Sequence, residues 1–153
     1  MHPRRIMFAQ CIAAIGMAVV LGAAGLVNET DNVAIKGYDP VAYFTVGRAV
    51  PGLADITTVD QGVIYRFADA DNRSLFVADP AHYRPEFGGY CAFGTARGYK
   101  ADIDPQAFSI VEGKLYLNYS LKVQQTWRGD MQVFLTKARS NWQQVEKQTE
   151  VNR

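Results

Sequence analysis

The spacing of the apolar residues changes near Ser120, and that change restricts the chain to a fold mixing sheet and helix. Before it, Phe108-Ser109-Ile110-Val111 and Lys114-Leu115-Tyr116-Leu117 alternate as half-buried strands do. The Glu112-Gly113 pair between them selects a tight hairpin. After it, Leu121, Val123, Gln124 and Trp127, then Met131, Val133 and Phe134, recur at helical spacing, with Ser120 as N-cap and a break at Gly129-Asp130. The last helix is expected over residues 131–142, with the polar residues 143–153 continuing it or fraying.

Upstream, residues 33–36 read as a strand entering a turn at Gly37, and residues 41–45 as an apolar stretch after Pro40. Residues 47–55, with Pro51 and Gly52, read as a loop. Residues 57–60 and 62–68 form an antiparallel pair about Asp60-Gln61-Gly62. Asp69 or Asp71 caps a helix over residues 72–78, which Asp79-Pro80 ends, and residues 81–83 add one turn. The segment Gly88-Gly89-Tyr90-Cys91-Ala92-Phe93-Gly94 is a short helix or tight loop whose glycines permit close backbone approach. The expected class is α+β: a small antiparallel sheet with short helices packed on one side and helices at the C-terminus.

Residues 1–27 read as an export signal or a retained membrane anchor. A short basic stretch ending in Arg4-Arg5 precedes a run, residues 6–27, that is apolar apart from Gln10. Arg4-Arg5 followed by Met7 and Phe8 resembles a twin-arginine signal. Small residues cluster at Gly22, Ala23, Ala24 and Gly25, as a signal peptidase site requires. A run of about 20 apolar residues is also long enough to span a bilayer. The protein is therefore expected to be exported, periplasmic or tethered to the membrane by residues 6–27, with its domain over residues 33–143 and a polar tail over 144–153.

Sixteen basic and fifteen acidic residues leave a net charge of +1, with no block of like charge. Lys and Arg are scattered rather than interleaved with aromatics, which argues against nucleic acid as a partner. Serines lie in no nucleophile-elbow setting, and no glycine-rich phosphate loop occurs.

Beyond the leader the chain has one Cys (Cys91), one His (His82) and one Met (Met131). A tight transition-metal site needs several soft or imidazole donors, so a copper or zinc site would have to combine His82 and Cys91 with carboxylates or tyrosines. The alternative for His82 is to cap or pack beside its turn. Cys91 is either a buried small residue or a thiol activated by backbone N–H groups where a helix begins. Asp39, before Pro40, either fixes its turn or faces a pocket lined by Tyr38, Tyr43 and Phe44. The ligand-binding candidates are Tyr38, Asp39, Tyr43, Tyr90 and Cys91.

Two segments carry a family resemblance. One is Gly37-Tyr38-Asp39-Pro40-Val41-Ala42-Tyr43-Phe44; the other runs from Tyr65-Arg66-Phe67 to Asp79-Pro80-Ala81-His82-Tyr83. Together they resemble the YHS domain, a module of metal transporters, some monooxygenase components and many exported bacterial proteins. Gly88-Gly89-Tyr90-Cys91-Ala92, the hairpin through Asn118, and Asn141-Trp142 resemble its extended exported subgroup. In metal-handling members, cysteines stand two residues after the Asp-Pro and in the turn after the Tyr-x-Phe strand. Ala42, Ala68 and Asn72 occupy those places here. The resemblance thus implies a non-catalytic binding module of the cell envelope, a carrier or sensor of a metal or small ligand acting with a metal-handling partner. The alternative is an accessory subunit docking on a membrane protein complex through a retained N-terminal helix.

Overall fold

The structure, a computed structural model, describes residues 25–153; the leader lies outside them except for its last three residues. The described chain is α+β, as its apolar spacing implies. Strands β1 (Glu29–Thr30), β2 (Val33–Ala34), β3 (Leu53–Asp60) and β4 (Val63–Phe67) form a sheet in the order β1-β2-β4-β3. Its pairings are antiparallel except where Val33 meets Ile64 in parallel register. Strands β6 (Asp104–Val111) and β7 (Lys114–Asn118) make a separate hairpin, and β5 (Lys100–Ala101) pairs in parallel with β8 (Val151–Asn152).

Both expected hairpins form, for one backbone reason. Gln61 and Gly62 have φ of 50° and 79°, and Glu112 and Gly113 have 51° and 72°. Two left-handed residues in succession turn a strand back with the twist its partner needs. Two of the expected caps also form, Asp69 accepting from Asn72 N and Ser120 from Val123 N, and Asp79, expected only to end a helix, accepts from His82 N and so starts the next one. They start α2 (Ala70–Ala78), α3 (Pro80–Tyr83) and α5 (Leu121–Gly129), and α6 (Met131–Val145) follows the break at Asp130. A side-chain oxygen at the N-cap satisfies an amide that the first turn cannot.

Three segments differ from expectation. The strand expected over residues 33–36 stops at Ala34, because Ile35 and Lys36 turn left-handed with φ of 43° and 55°. Strand β3 begins at Leu53, inside the expected loop, behind a bulge between Leu53 and Thr57. The tail does not fray: α6 runs to the buried Val145, and Val151–Asn152 adds to β5.

Strand β7 divides the core. Its period of two sends Leu115 and Leu117 to one side, with Ile35, Tyr43, Tyr65, Phe67, Phe76 and Cys91. Tyr116, between them, joins Phe87, Ala92, Trp127, Leu135 and Ala138 on the other side. Helix α4 (Ala92–Ala96) lies at this divide and packs on α6. Among the described residues no helix is long and apolar enough to cross a membrane.

Residues 25–28 belong to the folded body, although the leader was expected to extend through residue 27. Val27 and Asn28 are buried, and Asn28 N donates to Gly88 O at 2.7 Å. The Tyr90 hydroxyl donates to the carbonyls of Gly25 and Val27. Gly88, at φ 62°, lies so close that a Cβ there would stand 1.9 Å from Leu26 O.

Candidate functional site

Asp39 is fully buried and latches the two resembling segments together. Oδ1 accepts from Val41 N (2.8 Å) and Ala42 N (3.2 Å), holding the start of α1 (Ala42–Thr45). Oδ2 accepts from Ala68 N (2.8 Å) and Asn72 Nδ2 (2.7 Å), tying that start to the β4–α2 turn. Each carboxyl oxygen thus has two donors. Tyr43 is buried beside it, donates to Pro105 O at 3.0 Å, and has its phenol pKa raised chiefly by burial. Tyr38 is half-buried and bridges to Pro51. These three residues build a turn rather than a pocket.

Tyr90 is likewise structural. Its ring lies 4.9 Å from Lys100 Nζ. That ammonium is buried and donates to the carbonyls of Gly25 (2.5 Å), Glu146 (2.9 Å) and Gln148 (2.6 Å). Lys100 therefore caps the end of α6 and holds both ends of the described chain, and burial lowers its pKa.

His82 is exposed on α3, where its ring packs against Phe44 (4.9 Å) and Tyr83 (4.6 Å). It shares no contact with Cys91, and among the described residues no three of His, Cys, Asp and Glu converge as metal ligands do. The residues present thus do not fit a tight copper or zinc centre.

Tyr90 borders a hollow of about 190 Å³ whose wall includes Glu29 and Arg153, and Cys91 reaches a more apolar one. Cys91 is 1% exposed and forms the N-cap of α4. Its Sγ accepts from Gly94 N (3.4 Å) and Tyr119 N (3.2 Å), and its thiol donates to Asn118 Oδ1 (3.6 Å), which also accepts from Phe93 N. The amides favour a thiolate, but burial outweighs them and pushes the thiol pKa up. Cys91 is therefore a protonated, poorly nucleophilic thiol at neutral pH.

Above this sulfur lies a hollow of about 200 Å³. Its walls are Phe93, Tyr99, Ala101, Tyr119 and Val123, with Asn152 and Arg153 at the edge. The other hollows carry more charge: one of about 460 Å³ is bordered by Asp31, Lys36, Arg66 and Asp102. A mostly apolar wall with a few polar groups is the usual make-up of a small-molecule site. The wall residues come from α4, β5, the end of β7, α5 and β8, so no local spacing announces them. The only sequence signal was the small and aromatic segment around Cys91.

No family model matches the chain, and no characterised protein or solved structure matches it.

Proposed function

We propose that this chain is a non-catalytic binding module of the bacterial cell envelope, of the YHS type, that holds a small, largely apolar molecule over Cys91. The observation that carries this reading is the aromatic-walled hollow with a protonated sulfur as its floor. A dry cavity of about 150 Å³ accommodates benzene, so a space of about 200 Å³ suits a one- or two-ring aromatic of modest size. Turnover has little support here, because the only thiol facing the ligand is kept protonated by burial. Metal carriage has less support than small-ligand carriage, because Cys91 and His82 stand apart.

Titration calorimetry with indole tests the proposal. Saturable binding is expected, lost in Val123→Trp, which fills the hollow, and weakened severalfold in Tyr119→Ala, which removes one wall. Absence of saturable binding, or binding indifferent to both substitutions in folded protein, overturns it. The second reading, an accessory subunit on a membrane complex, draws on the exposed rim of Tyr99, Tyr119 and Leu121 beside the hollow. It requires co-purification with a membrane assembly, lost when that rim is made polar.

A further inference from the structure

A second hollow, of about 270 Å³, lies between the turn after α3 and the last turn of α6. Its character is opposite to that of the Cys91 hollow. Gln61, Tyr65, Arg84, Glu86, Trp142 and Glu146 are among its walls. From these residues the geometry points to a binding site for a small organic cation, a primary or quaternary ammonium.

Charge comes first. Arg84 is the only cation in the wall, and it is neutralised by a two-pronged pair with Asp60 at 2.6 and 2.7 Å. Glu86 pairs with Lys114 at 3.4 Å. The Glu146 carboxylate has no ion pair among the described residues. Lys100, the nearest buried ammonium, spends its bonds on backbone carbonyls, including that of Glu146 itself. The Glu146 carboxylate thus has no direct ion pair among the described residues, although the Lys100 ammonium is within Coulombic range of it, and Glu146 lines the hollow. Helix α6 ends here, with Trp142 in its last turn and Glu146 as C-cap, its negative end partly offset by the Lys100 ammonium that caps it.

Shape and polarity agree with charge. Trp142 packs on Phe87 with ring centroids 5.7 Å apart, presenting aromatic surface in the same wall as Glu146. An aromatic face beside a carboxylate is the combination that recognises ammonium groups. Tyr65 is 99% buried by its ring contacts, and its hydroxyl has no hydrogen-bond partner among the described residues. Tyr65 also lines the hollow. A buried phenol normally finds a partner; here an alcohol or ammonium group of the guest supplies one. The backbone turn that shapes this wall is left-handed at Phe87 (φ 55°), a conformation uncommon outside glycine.

Choline is the test ligand, with 3,3-dimethylbutanol as its uncharged twin and butyrate as the anion. Calorimetry on the folded protein should show saturable choline binding, with the uncharged twin at least about tenfold weaker, the factor that one charge-assisted contact supplies. Glu146→Gln keeps the backbone carbonyl that Lys100 holds and should weaken choline by a similar factor. Tyr65→Phe should weaken choline less. Val123→Trp, which blocks the Cys91 hollow, should leave choline unaffected, so failure of one site is distinguishable from failure of the other. Equal binding of choline and its uncharged twin, stronger binding of butyrate, or a Glu146→Gln protein that binds choline like the parent overturns the inference. A thermal melt of each variant confirms that the comparison is between folded proteins.

Discussion

Removal of the Asp39 carboxyl group should cost more than any other single change in the turn that carries Tyr38 and Tyr43. The group accepts four hydrogen bonds between 2.7 and 3.2 Å, three of them from backbone amides. Asp39→Ala leaves those amides without an acceptor. Each buried donor left unmet costs about 1–3 kcal/mol, and Asn72 can turn to water, so the three amides sum to about 3–9 kcal/mol. Asp39→Asn is a finer probe. One amide oxygen still serves Val41 and Ala42, but the NH₂ then meets Ala68 N–H, and the loss falls to about 1–3 kcal/mol. Asn72→Ala removes one donor and no acceptor, and should cost about 1 kcal/mol. Urea unfolding measures all three, with an unchanged slope showing that the variants share one unfolded reference. An Asp39→Ala loss below about 1 kcal/mol, or an Asp39→Asn protein as stable as the parent, would refute the latch.

Three further outcomes follow from the same contacts. Gly88→Ala should destabilise by about 2 kcal/mol or more, since it adds left-handed strain to a Cβ placed 1.9 Å from Leu26 O; parent-like urea unfolding would contradict this. Lys100→Met should leave three carbonyls unpaired and raise amide exchange in residues 146–152 while β3 and β4 stay protected. Stability should fall with alkaline pH. Cys91, Tyr43, Tyr65 and Tyr90 all have raised pKa values in the fold, so the folded state holds protons that the unfolded chain releases. Their contribution is complete below the unfolded thiol value, about 8.5, and is lost as pH climbs through the folded values. Lys100, with its lowered pKa, acts in the opposite sense. Cys91→Ala should flatten the first part of this decline, which urea midpoints across alkaline pH would show.

What could be read from the sequence was local. Asp60-Gln61-Gly62 and Glu112-Gly113 fix their hairpins within a few residues, and Asp69 and Ser120 cap helices by accepting from amides three positions away. What escaped was long-range. Lys100 meets Val151 in parallel register across most of the C-terminal half, and nothing in a polar tail signals that pairing. The left-handed Ile35 runs against the preference of a β-branched residue, so propensity pointed to strand. Among the site candidates, Asp39 and Cys91 stood out by residue type. Their roles were set by burial and by partners such as Ala68, Asn118 and Tyr119, which no spacing relates to them.

The central claim is that the hollow over Cys91 receives a small apolar guest. A crystal of the protein soaked in bromobenzene places that guest by the anomalous signal of its bromine. The account predicts a peak between Phe93, Tyr119 and Val123, within van der Waals reach (~4 Å) of the Cys91 sulfur. Bromine found only outside that hollow, with the space over the sulfur filled by ordered water, would contradict it.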